Sequence, residues 1–131
     1  MDEVILTIIV PCFNSEKYIT ETLRSIELNQ HNNVEFILID GGSSDKTMSI
    51  VNDFSYCFNH ILSEPDSGQS DAINKGLKLA RGSYFSWLNS DDYYEPRILD
   101  SVISEIITAD GKVVSYGCNF FSNKSKSLYV L

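Results

Sequence analysis

Hydrophobic and polar positions follow two alternating rhythms along this chain. Val4 to Val10 is a nearly continuous β-branched run closed by Pro11, as expected of a strand covered on both faces. Tyr18, Ile19, Thr22, Leu23 and Ile26 then recur at helical spacing, with Asn14 or Ser15 offering an N-cap. Val34 to Ile39 predicts a second strand that stops at Asp40, before Gly41, Gly42, Ser43 and Ser44. Either serine suits the cap of a helix on which Met48, Val51 and Phe54 form one face. His60 to Ser63 reads as a third, short strand. The spacing of Ala72, Ile73, Gly76, Leu77 and Ala80 predicts a helix over 70–81, with Gly82 as its C′ residue and Gly76 permitting close packing. Tyr84 to Leu88 reads as a buried strand. After Pro96, the stripe Ile98, Leu99, Val102, Ile103, Ile106 and Ile107 predicts a core helix. Beyond it, Asp110–Gly111 reads as a turn, Val113–Tyr116 and Leu128–Leu131 as strands, and Ser122–Ser127 as loop.

Strand and helix thus alternate, which implies an α/β, Rossmann-like fold: a mostly parallel sheet with helices on both faces. No repeat, linker or low-complexity tract divides residues 1–131, so one domain is expected. In such a sheet successive strands point the same way. Pro11 to Glu16, Asp40, and the cluster Asn89, Ser90, Asp91, Asp92 therefore gather at one edge. Each has a plain structural reading on its own: Asp40 as a turn residue before glycines, Asn89 to Asp92 as a solvated turn. Asp71, in the first turn of its helix, suits the helix dipole. Their convergence favours a ligand site, because open α/β sheets bind ligands outside the carboxyl ends of their strands.

Composition narrows the ligand. With 18 acidic against 10 basic residues, the net charge of -8 argues against nucleic acid or an anionic membrane surface as the main partner. An anionic ligand would need a metal or helix amino termini to hold it. Cys12, Cys57 and Cys118 are odd in number and form no CxxC pair, so neither a disulfide framework nor a zinc site is indicated. No apolar run approaches a membrane span, and the acidic start MDEVILTIIV is unlike a secretory signal; a cytoplasmic protein is expected. GxGxxG and GxxxxGK[ST] are both missing. What remains is a nucleotide or polyphosphate held by carboxylates and a divalent cation.

The segments TIIVPCFNSEKYITETLRSI, FILIDGGSSDKT, SEPDSGQSDAINKGLKLARG and LNSDD, in that order, resemble family 2 glycosyltransferases of the GT-A fold. The SEPDSGQSDAINKG segment looks like members that build O-antigen and other surface polysaccharides. The resemblance implies transfer of a sugar, with inversion, from a nucleotide-diphosphate sugar donor to a saccharide or lipid-linked acceptor. It further implies a donor-nucleotide site formed by Pro11, Phe13, Glu16, Asp40, Asp71 and Asn89, with Asp40 on the base. Asp91 falls at the last position of the family's DxD motif and would hold Mn²⁺ or Mg²⁺ on the donor diphosphate. Asn89 stands where that motif has its first Asp, which keeps a carbonyl acceptor but loses a charge. The family's catalytic base comes from a later, acceptor-side segment, and no residue from Val113 to Leu131 matches it. The chain is thus expected to be the donor-binding half of such an enzyme, as a fragment, a truncated gene product or a minimal homologue, associating with a membrane periphery or a partner chain. Two rivals stay open: a nucleotide-sugar binding module without transfer activity and, more distantly, a nucleotidyltransferase.

Overall fold

The computed structural model describes residues 3–109, 118–121 and 126–129. The expected alternation is present: β1 (Leu6–Cys12), α1 (Ile19–Glu27), β2 (Val34–Asp40), α2 (Thr47–Asn52), a 3₁₀ turn (Ser55–Cys57), β3 (His60–Ser63), α3 (Gln69–Leu79), β4 (Tyr84–Trp87) and α4 (Ile98–Ala109). Strands β1 to β4 form one sheet in the order β3-β2-β1-β4, and every pairing in it is parallel. A separate antiparallel pair joins β5 (Cys118–Phe121) to β6 (Lys126–Tyr129).

Period-two alternation sends the central strands' side chains to opposite faces. Ile8 and Val10, with Phe36 and Leu38, pack under Ile19, Leu23 and Ile26 of α1, Val51 of α2, and Leu99, Ile103 and Ile106 of α4. Ile9, Ile37 and Ile39 face the other way, onto Ala72, Ile73 and Leu77 of α3. Because both faces are covered, β1 and β2 are buried throughout, which explains their unbroken apolar runs. Pro11 lies inside β1 rather than closing it. Pairing with β4 ends at Ile9↔Trp87, and Pro11 faces that side, so its missing N–H forfeits no ladder bond.

Several expectations shift. β4 is a half-exposed edge of this sheet rather than a buried strand: Phe85 is 53% and Trp87 50% exposed, on the face where α3 covers β1 and β2. The proposed caps have other duties. α1 starts at Ile19 with no side-chain cap; the Ser15 carbonyl accepts from the Tyr18 and Ile19 N–H groups instead. α2 starts at Thr47, whose N–H donates to Asp45 Oδ1, and Phe54 lies beyond its end. α3 ends at Leu79, and Gly82 is not its C′ residue. A Cβ on Gly82 would lie 2.7 Å from the Thr7 backbone nitrogen, so glycine is required there by close approach. Gly76 does what its place predicts, since a Cβ there would meet Ile9 Cγ2 at 2.7 Å. Lys126 and Ser127, expected in a loop, belong to β6, and β5 was not foreseen. The turn at Asp110–Gly111 and the strand Val113–Tyr116 lie outside the described residues.

A buried clasp ties the lower half of the sheet to the connection between α3 and β4. The Glu35 carboxylate accepts from the Thr7 hydroxyl at 2.6 Å, from the Arg81 backbone N–H, and from Arg81 Nε at 3.0 Å. Gly82 N–H donates to Thr7 Oγ1 at 3.0 Å. Burial pulls the Glu35 carboxyl up, but these donors outweigh it and hold it below the ordinary carboxylate range.

Candidate functional site

The carboxyl ends of β1, β2 and β4, with the loop between β3 and α3, enclose an open cavity of about 500 Å³. That lies within the roughly 300–1,000 Å³ typical of small-molecule sites. β1 contributes Pro11, Cys12 and the loop residues Phe13, Asn14 and Ser15; the β2 end contributes Gly41; Asp66, Gly68 and Gln69 come from the third loop and the start of α3. Asn89, Ser90 and Asp91 close the cavity at the end of β4.

The loops are locked to one another. Asn14, held at φ 47°, accepts from Ser44 N–H through Oδ1 at 2.9 Å, while its own N–H donates to Ser43 Oγ at 2.8 Å. Asparagine tolerates this left-handed conformation better than most residues. Ser15 N–H donates to Thr47 Oγ1 at 2.7 Å, and its hydroxyl lies 2.7 Å from the Ser90 hydroxyl. The first loop therefore bridges the ends of β2 and β4.

Four of the expected site residues line the cavity: Pro11, Phe13, Asn89 and Asp91. Phe13 is 60% exposed and Tyr18, also on the wall, 53%, so two aromatic side chains stand open to a ligand. The Asn89 Oδ1 carbonyl accepts from Gln69 Nε2 at 2.5 Å, and Asn89 Nδ2 donates to Asp92 Oδ2 at 3.3 Å. Asp91 is exposed.

The other three support the walls. Asp40 ends β2 at the same edge as Asn89 to Asp91 but is fully buried and not part of the cavity lining. Its Oδ2 accepts from Gly42 N–H at 3.1 Å, Ser43 N–H at 2.9 Å and Ser63 Oγ at 2.7 Å. Its Oδ1 accepts from the Ser43 hydroxyl and, at 3.6 Å, from Cys12 Sγ. Burial alone would raise the Asp40 carboxyl, but the donors from Ser43, Ser63 and Gly42 hold it below the ordinary range. Burial, with the charge of Asp40, pushes the Cys12 thiol far up, so it stays protonated. Glu16 bridges loops: its N–H donates to Asp45 Oδ2 at 3.2 Å and its Oε2 accepts from Lys46 N–H at 3.3 Å. Asp71 Oδ2 accepts from Ser67 N–H at 2.9 Å.

Gly41, Asp66, Gly68 and Gln69 were not singled out from the sequence. Asp66 and Gly68 belong to the Glu-Pro-Asp-Ser-Gly run, which reads as a loop by every local rule and reveals nothing of where the Asp66 carboxylate points.

Residues 7–130 match the family model described as glycosyl transferase family 2. The chain belongs to that family. Among curated relatives, an uncharacterized glycosyltransferase of Rickettsia typhi is 33% identical over 127 residues, covering 95% of this chain and 40% of the relative. Glycosyltransferase GlyA of Streptococcus pneumoniae is 29% identical over 126 residues, covering 95% of this chain and 18% of the relative. The chain thus spans two fifths or less of the length of these relatives. Among solved structures, S. aureus TarS 1-349 in complex with UDP-GlcNAc superposes with a TM-score of 0.75 at 27% identity, covering 87% of this chain and 38% of that one. The parallel sheet with helices on both faces is the GT-A form of the α/β fold.

Proposed function

We propose that the cavity binds the nucleoside diphosphate of a sugar donor and that this chain is the donor-binding part of a glycosyltransferase. The observation that carries this reading is the convergence of Phe13, Asp66 and Asp91, from three separate loops, on one open cavity at the carboxyl edge of the sheet. Gly41 and Asp91 follow β2 and β4, the two strands that flank β1 in the sheet. Phe13 and Tyr18 supply flat apolar surface for a base or sugar ring.

A divalent cation fits the donor set in one way. Among the described residues no cluster of three or more His, Cys, Asp or Glu could cage a metal. Asp91, open at the cavity wall, suits the mode in which Mg²⁺ or Mn²⁺ takes one or two protein carboxylates and shares substrate phosphates. When bound, such a cation stabilises the charge that develops on a departing diphosphate. The chain's own contribution is to hold that diphosphate beside Asp91, with the amino terminus of α3 at Gly68 and Gln69 also facing the cavity. Family membership supports glycosyl transfer; in this reading the sugar passes with inversion to a saccharide or lipid-linked acceptor of a surface polysaccharide, at the cytoplasmic face of a membrane. No helix among the described residues is long and apolar enough to cross one.

Thermal-shift titration with nucleoside diphosphates and their sugar conjugates, with and without Mn²⁺, tests the reading. A ligand binding only the folded state raises apparent stability by about 2.7 kcal/mol at a hundredfold excess over Kd. A cation-dependent rise is expected for at least one nucleotide; no rise with any of them would contradict the proposal.

A further inference from the structure

We infer that Asp66, rather than Asp40, is the carboxylate that meets the nucleoside base, and that it selects a base presenting a ring N–H. The inference rests on the nucleotide-donor reading above and assigns a specificity residue within it. Asp40 has no capacity left. Its two oxygens take five donors from the chain itself, and its side chain lies beneath the cavity rather than on its wall. A carboxylate offers about four lone-pair directions, so a sixth donor would have to displace one of these.

The next residue is Gly41, and the space above it is filled by Asp66. A Cβ built on Gly41 would sit 2.9 Å from each carboxylate oxygen of Asp66. Asp66 therefore reaches across from the loop before α3 and puts its charge where a side chain on the end of β2 would otherwise stand. It lines the cavity, and Oδ1 accepts from Gly68 N–H at 2.9 Å; among the described residues Oδ2 takes no hydrogen bond. The loop that carries it is braced. Lys75 Nζ donates to the Pro65 carbonyl at 3.0 Å and pairs with Glu64 at 3.1 Å, while Asp71 accepts from Ser67 N–H. Asp66 is thus a positioned anion with an open acceptor beside a cavity.

An ionised carboxylate only accepts hydrogen bonds. Uracil offers N3–H, and guanine offers N1–H with its adjacent amino group, so either meets Asp66 as a donor. Cytosine and adenine place a ring nitrogen lone pair where uracil and guanine have that N–H, so the ring position opposes the carboxylate and only their adjacent amino group is left to donate. Discrimination of this kind comes from repulsion of the wrong base as well as attraction of the right one.

Calorimetric titration of the full 131-residue chain with UDP, GDP, CDP and ADP, each with Mn²⁺, tests this. The wild type is expected to prefer UDP or GDP over CDP and ADP by about tenfold or more, the worth of a charge-assisted hydrogen bond. Asp66→Asn should weaken the preferred nucleotide by a similar factor and narrow the gap to CDP, because an amide can donate to the cytosine ring nitrogen. Gly41→Ala removes no functional group, yet its methyl must push the Asp66 carboxylate aside, so it should erode the same preference. A role for Asp66 in loop structure alone would weaken all four nucleotides equally. Unchanged preference in both variants, or equal wild-type affinity for all four, overturns the assignment while leaving nucleotide binding standing. Failure of the wild type to bind any of them overturns the donor reading and the assignment together.

Discussion

The carboxylates at the sheet's upper edge divide into those that line the cavity and those that hold the scaffold. Asp91 faces the cavity and is exposed, so Asp91→Asn should abolish Mn²⁺-dependent nucleotide binding while moving folding stability by less than about 0.5 kcal/mol. Calorimetry with Mn²⁺ and thermal unfolding read the two effects separately. Asp40 belongs to the second kind. Asp40→Asn keeps the shape but loses acceptor strength against five donors, and should cost about 1–3 kcal/mol by urea unfolding. Its pH dependence has a definite sign. The folded-state carboxyls of Asp40 and Glu35 lie below their ordinary values, so their stabilisation is complete above the ordinary carboxylate range and is lost as the pH falls from there through the lower folded-state values. The fall of stability with pH below the ordinary carboxylate range should therefore flatten in Asp40→Asn. Phe13 is the aromatic counterpart on the cavity wall. Phe13→Ala should weaken nucleotide binding by about 1–3 kcal/mol if a base stacks there, measured by the same calorimetry.

At the scale of elements, the helices and strands owe their positions to where side chains are missing as much as to where they are apolar. Gly76 lets α3 approach β1 until only Ile9 lies between them. Gly76→Ala gains about 1 kcal/mol of helix propensity but forces a methyl into Ile9, and overpacking of this kind costs about 1–3 kcal/mol. A net loss in urea unfolding is expected. This contact was legible in the sequence, because Gly76 falls on the apolar face of a strongly periodic segment. So were β1, β2 and the three-residue-and-four-residue spacing of α1. The helix caps were not. Asn14, Ser43 and Ser44 have the chemistry of caps, but the tertiary structure uses them to knit the β1 and β2 loops together, and local preference carries no record of that competition. The exposure of β4 was equally hidden, since an apolar run reads the same whether or not a neighbour covers its second face. Asp66 escaped notice for a related reason: its role depends on the space left by Gly41, twenty-five positions earlier.

Over the whole molecule, a net charge of -8 would have to coexist with the anionic donor proposed above. Acidic side chains line the cavity itself, at Asp66 and Asp91, and the amino terminus of α3 offers only a partial positive charge against them. In the proposed reading, a divalent cation held by Asp91 and shared with the diphosphate would offset this, at the edge where the strand ends converge. Mn²⁺ broadens NMR signals of nearby nuclei, so amide spectra of the ¹⁵N-labelled chain with a nucleoside diphosphate, recorded as Mn²⁺ is added, test this directly. The account predicts selective loss of signals from Asn89 to Asp92 and from the facing loops at Phe13 to Ser15 and Gly68 to Gln69, and no such loss when Asp91 is replaced by Asn. Broadening centred on other acidic positions, such as Glu27 or Asp100, or the same pattern in Asp91→Asn, would contradict it.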